Sequence, residues 1–66
     1  MKLTIIWQYP EERYGETHKR IYHNIDPKLI SVVDRQFCFD ITDDDISYTI
    51  SYPLDHIISI RWEENE

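Results

Sequence analysis

Alanine is missing from this 66-residue chain, and glycine and cysteine each occur once, as Gly15 and Cys38. With a single glycine, no phosphate-cradling loop, dinucleotide fingerprint or nucleophile elbow can be assembled. A single cysteine excludes an internal disulfide framework and suits a reducing compartment. Long apolar runs are also missing. The first, Leu3 to Trp7, stops at Gln8 and is followed by no small-residue cleavage site, so neither a secretion signal nor a membrane span is read here. Basic residues are scarce, with seven Lys and Arg against thirteen Asp and Glu, a formal charge of −6. That balance works against phosphate binding, which rests on Lys and Arg, and favours solubility or a partner with a basic surface. The expected location is the cytoplasm.

What the chain has in quantity is β-formers: two Trp, five Tyr, two Phe and a large set of Ile. No sustained helical apolar stripe interrupts them. A chain this short buries only about 60% of the surface that its unfolded form exposes. Large aromatic side chains offset that shortage, because each buries more apolar area than any aliphatic.

Alternation and turn residues divide the chain into strands. Strand one is expected over Lys2–Tyr9, with Leu3, Ile5, Trp7 and Tyr9 on one face. Pro10 ends it, and Gly15 supplies a positive φ in the polar loop up to Glu16. Strand two is expected over Thr17–Ile25, with Ile21 and Ile25 inside and His18, Arg20, Tyr22 and Asn24 on the other face. Asp26-Pro27 makes a turn. Leu29–Val33 and Gln36–Ile41 are either two strands joined at Asp34-Arg35 or one bent strand with a bulge there. Thr42-Asp43-Asp44-Asp45 is a hairpin loop. Ile46–Tyr52 has the cleanest alternation, with Ile46, Tyr48, Ile50 and Tyr52 set against Ser47, Thr49 and Ser51. Pro53-Leu54-Asp55-His56 reads as one 3₁₀ turn. The last strand, Ile57–Trp62, is expected to bury Ile58, Ile60 and Trp62 ahead of Ile57 and Ser59, and Glu63-Glu64-Asn65-Glu66 is a charged tail. Together these predict an all-β domain, a five- or six-stranded antiparallel sheet curled into a small SH3-like or Sm-like barrel.

Chemistry is harder to find. The triplet Asp43-Asp44-Asp45 has hard-cation donors but lacks the alternating ligands, glycine and distant Glu of an EF-hand, so it reads as a solvated loop. His18 and His23 are five residues apart and face opposite sides of a strand. Cys38 has no Cys-x-x-Cys partner, and sitting between Phe37 and Phe39 on the opposite face it reads as a small packed hydrophobe. No metal, no cofactor and no enzymatic activity are expected. Two binding surfaces remain. His18, Arg20 and Tyr22 mix donors with an aromatic on one strand face, as nucleic-acid stacking platforms do. Alternatively, aromatics in surplus of what the core can hide, here Tyr48 and Trp62, together with Asp43, Asp44 and Asp45, form a protein-binding surface. Edge logic adds a homodimer through strand one or strand six.

Two segments resemble a known family. Ile21-Tyr22-His23-Asn24-Ile25-Asp26-Pro27 is similar to the middle of YolD-like proteins. Tyr52-Pro53-Leu54-Asp55-His56-Ile57-Ile58-Ser59-Ile60 resembles their closing segment. The layout is also similar to Sm-like barrels, in which a turn and a final strand follow the fourth strand, but the basic and glycine-containing RNA loops of that family are missing. The resemblance implies a bacterial or phage setting, and some YolD-like proteins look like accessories of UV-damage polymerases. The resulting expectation is a non-enzymatic acidic interaction module, a phage or mobile-element regulator or inhibitor that binds a basic nucleic-acid-handling protein. The alternative is an Sm-like nucleic-acid-binding barrel.

Overall fold

The computed structural model describes residues 1–10 and 16–64; the expected role of Gly15 falls outside them. Six strands form: β1 (Lys2–Trp7), β2 (His18–Tyr22), β3 (Ser31–Val33), β4 (Gln36–Asp43), β5 (Ile46–Pro53) and β6 (Ile57–Glu63). Two short 3₁₀ turns, Pro27–Leu29 and Leu54–His56, punctuate the chain. No helix among the described residues is long and apolar enough to cross a membrane.

The strands make two antiparallel three-stranded sheets, ordered β2-β1-β6 and β3-β4-β5. They do not close into a barrel. β2 stops at Tyr22 and β3 begins at Ser31. Between them Asn24 takes a left-handed φ of 58° and a 3₁₀ turn intervenes, so no strand runs unbroken from one sheet to the other. The sheets meet instead through their apolar faces. Leu3, Ile5, Ile25, Phe37 and Phe39 form the buried core, with Trp7, Tyr22, Ile41, Ile50, Tyr52, Ile57 and Ile60 packed partly buried around it.

Turn chemistry sets the β3-β4-β5 meander. Asp34-Arg35 and Asp44-Asp45 are two-residue turns in which both residues have positive φ, 52° and 62° in the first and 49° and 66° in the second. That is the turn geometry whose twist matches a hairpin. β3 and β4 are therefore two strands, and the one-bent-strand alternative is excluded. The Asp26 carboxylate accepts from Lys28 N–H at 2.9 Å and caps the Pro27–Leu29 turn. The Pro53–His56 segment forms its expected 3₁₀ turn, over Leu54–His56.

Two strands show faces that differ from the sequence reading. In β2, Tyr22, Arg20 and His18 pair with Leu3, Ile5 and Trp7, so they share the inner face, and Ile21 lies outside, 44% exposed. Ile25 is nonetheless buried, because left-handed Asn24 resets the alternation and Ile25 N–H bonds Met1 O at 2.9 Å. In β6, a register shift opposite Ile6 and Trp7 pairs Trp7 with Ile57, which turns Ile57 inward and leaves Ile58 55% exposed. Strand one is the central strand of its sheet and offers no edge to a second copy; β6 is an edge. Glu63, expected in the tail, belongs to β6 and pairs with Lys2 at 2.9 Å.

The inverted face of β2 gives a direct test. Tyr22→Ala removes a ring that touches the core, and the expected loss is about 3–5 kcal/mol, in the range of buried aromatic truncations. Ile21→Thr changes an exposed side chain, and its expected effect is within about 0.5 kcal/mol. Urea unfolding of both variants checks the assignment; equal losses would contradict it.

Candidate functional site

The inner faces of β1, β2 and β5 bring aromatic rings together where the two sheets meet. Tyr22 and Tyr52, thirty residues apart, join their hydroxyls at 2.6 Å. Trp7 lies 5.0 Å from Tyr52 and stacks on His18 at 5.4 Å. Tyr9 continues the row, 5.3 Å from His18 and 6.2 Å from His56. Tyr22 sets its ring edge-on to Phe39 at 4.9 Å. The Arg20 guanidinium sits 5.6 Å from the centre of the Tyr22 ring, within cation–π range. Thus His18, Arg20 and Tyr22 do share a face, but the rings of His18 and Tyr22 are half-buried against other rings. Only Arg20 of the three is exposed.

Burial holds the Tyr52 phenol well above the usual tyrosine range, and its hydrogen bond with Tyr22 adds to the effect. The charged form would lose solvent and a partner, so Tyr52 stays a neutral hydroxyl through the ordinary pH range.

The second cluster lies at the tip of the β4–β5 hairpin. Phe37, Phe39, Ile41 and Asp43 of β4 share a face with Tyr52, Ile50, Tyr48 and Ile46 of β5. Burial along this face declines steadily. Phe37 and Phe39 are buried, Ile41 and Ile50 are half-buried, and then Tyr48 is 44% and Ile46 65% exposed. The hairpin therefore runs past the end of its covering sheet and carries an uncovered apolar face. Asp43, Asp44 and Asp45, all exposed, border it. The opposite face of the same hairpin is a polar ladder. Thr49 Oγ1 donates to Asp40 at 2.7 Å, Thr42 and Ser47 hydroxyls meet at 3.1 Å, and Ser51 Oγ donates to Cys38 Sγ at 3.4 Å. Cys38 is half-buried in that ladder.

Trp62 stands apart from the tip. It leans on Phe37, ring centres 6.4 Å apart, and remains 56% exposed. Phe37 and Asp43 are six residues apart on β4, roughly 20 Å at the rise of a strand. Trp62 walls a shallow apolar depression of about 300 Å³ with Met1, Pro27, Ile30 and Glu64. A second, more polar depression of about 250 Å³ is lined by His23, Asn24, Asp26, Leu29, Asp40, Thr42 and Ser47. Among the described residues, no three His, Cys, Asp or Glu side chains gather as metal ligands would.

The structure thus unites Asp43, Asp44, Asp45 and Tyr48, and separates Trp62 from them. Ile46, exposed beside the triplet, is missed by the sequence reading. Alternation assigns its face correctly, but no sequence signal reports how far the covering sheet extends. Tyr9, Tyr52 and His56 are likewise united only by the fold.

The Tyr52 hydroxyl predicts an alkaline weakness. Its folded pKa lies above the unfolded value of about 10, so its contribution is fully present below pH 10 and is lost as pH rises beyond it. Chemical denaturation at stepped alkaline pH is expected to show wild-type stability declining above pH 10 and a shallower decline in Tyr52→Phe.

The comparisons add no relative to this geometry: no family model, no curated protein and no solved structure matches the chain.

Proposed function

We propose that the chain is a non-enzymatic, acidic protein-interaction module that contacts its partner through the tip of the β4–β5 hairpin. One observation carries this reading: Ile46 and Tyr48 are exposed side by side on one face, bordered by Asp43, Asp44 and Asp45. An uncovered apolar face supplies affinity when buried. Adjacent carboxylates select a partner of opposite charge and speed the encounter. Proteins that handle nucleic acids present such basic surfaces, because they must neutralise phosphates. An acidic tip of this kind would occupy that surface in place of nucleic acid, which suits a regulator or inhibitor of bacterial or phage origin acting in the cytoplasm.

The same proposal includes the finer fold. Pairing of the first strand with the last, a three-stranded meander and a 3₁₀ turn before the final strand support an opened version of an SH3-like or Sm-like barrel.

The test is capture from a bacterial lysate by the tagged chain, with and without nuclease, at low and high salt. A partner protein that survives nuclease and is released by salt is expected. Asp43→Asn/Asp44→Asn/Asp45→Asn is expected to lose it, since Asn keeps the left-handed turn and removes only charge. Tyr48→Ser is expected to weaken it. Recovery of RNA or DNA that nuclease abolishes would overturn the reading in favour of the His18, Arg20 and Tyr22 face.

A further inference from the structure

We infer that β5 is a self-pairing edge, and that two copies of the chain join across a two-fold axis at Thr49 to make one six-stranded sheet. This goes beyond the proposed function, because the backbone of β5 carries it and not the acidic side chains.

Hairpin geometry fixes which backbone groups are free. In a two-residue hairpin the residues flanking the turn exchange both N–H···O bonds, and such pairs alternate with unbonded ones. Asp43 faces Ile46 across the Asp44-Asp45 turn. Ile46, Tyr48, Ile50 and Tyr52 therefore bond β4, and Ser47, Thr49, Ser51 and Pro53 turn their backbone groups outward. The side chains agree. The close contacts Thr42–Ser47, Asp40–Thr49 and Cys38–Ser51 all fall on unbonded pairs, where side chains approach most closely. Pro53 also agrees, since it occupies an outward position, the one place on an edge where a missing N–H costs nothing.

Exposed edges usually carry charges, prolines or bulges that deter pairing. β2 carries Lys19 and Arg20, β3 has three residues, and β6 carries Arg61 and Glu63. β5 has eight residues, none charged, alternating Ile and Tyr with Ser and Thr. Its usable length runs from the turn at Asp45 to Pro53, and Thr49 is the midpoint. Antiparallel self-pairing there sets Ser47 opposite Ser51 and Thr49 opposite Thr49. On the apolar face, Ile46 of each copy lies beside Tyr52 of the other, and Tyr48 beside Ile50. The exposed Ile46 side chain thereby gains a neighbour.

Charge favours this register. The strand is acidic at one end, where Asp43, Asp44 and Asp45 lie. The other end holds Arg20 near Tyr52, His56 in the 3₁₀ turn, and an Arg35–Asp55 ion pair at 2.9 Å whose charges cancel. An antiparallel pair brings the acidic end of each copy to the Arg20 end of the other, whereas a parallel pair would set the aspartates together.

Sedimentation velocity and a crosslink test the inference. At high micromolar concentration the wild type is expected at twice the chain mass. Thr49→Lys places like charges opposite each other on the axis and is expected at monomer mass with unchanged circular dichroism; in the monomer that position is exposed beside Asp40. Thr49→Pro removes an outward N–H without touching the β4 ladder, and the same result is expected. In a Cys38→Ser background, Thr49→Cys is expected to oxidise to a disulfide dimer, because bonded antiparallel partners sit about 5.5 Å apart at Cα. Thr42→Cys in that background serves as the control. A wild type that stays monomeric, a dimer that survives both Lys and Pro, or equal crosslinking at positions 49 and 42 would overturn it. A wild-type chain that captures no partner protein from the lysate would leave the Thr49 crosslink in place, so the two readings fail separately.

Discussion

Phe39 is the point at which the two sheets become one domain. It is fully buried, and its ring is met edge-on by Tyr22 from β2, flanked by Phe37 on its own strand and overlaid by Tyr52 from β5. Leu3, Ile5 and Ile25 complete a core of five buried side chains among the described residues. So few buried groups can hold a domain only if each is large, and aromatic rings in offset and edge-on contacts add to what area alone provides. The half-buried ring row from Tyr9 to Tyr52 extends the same interface outward. Among the described residues, the aromatics that look surplus in the sequence are largely the walls of this small core, and Trp62, Tyr48 and Tyr9 are the ones left more than a third exposed.

Much of the strand layout was legible because it depends on local chemistry. The alternation from Ile46 to Tyr52 and the 3₁₀ turn after Pro53 appear as read, whereas the loop read over Thr42–Asp45 shrinks to Asp44-Asp45, because Thr42 and Asp43 pair with Ser47 and Ile46 as the end of β4. The errors arise where one residue changes the count. Asn24 adopts a left-handed conformation that no alternation rule anticipates, and every side chain of β2 changes face. The irregularity opposite Ile6 and Trp7 does the same to Ile58. Side-chain direction in a strand has period two, so a one-residue error inverts a whole segment. The candidate site was half legible. Composition and charge pointed to Asp43, Asp44, Asp45 and Tyr48, but the exposure of Ile46 depends on where another sheet ends, which is a property of three other strands.

Scarcity of glycine shapes the turns. Asn24, Asp34, Arg35, Asp44 and Asp45 all take positive φ without being glycine. Asn and Asp accept this conformation through local hydrogen bonding, but Arg35 has no such help from its own side chain. It is held from outside: its carbonyl accepts from Leu54 N–H at 2.9 Å and its guanidinium reaches Asp55. The Leu54–His56 turn therefore braces the β3–β4 hairpin as well as redirecting the chain into β6.

The pairing of β1 with β6 places Lys2 opposite Glu63, so the two ends of the described chain lie in neighbouring strands. Of the pairings described, this one forms last during synthesis, because β6 is the last of the six strands in sequence. The β3-β4-β5 meander consists of adjacent segments and can assemble early, but β1 holds only β2 until β6 emerges. Contacts spanning so much sequence require a large loop to close first, which slows folding relative to local hairpins. A nascent chain therefore exposes the β6-facing edge of its central strand, with Leu3 and Ile5 half covered, for longer than any other part of its core.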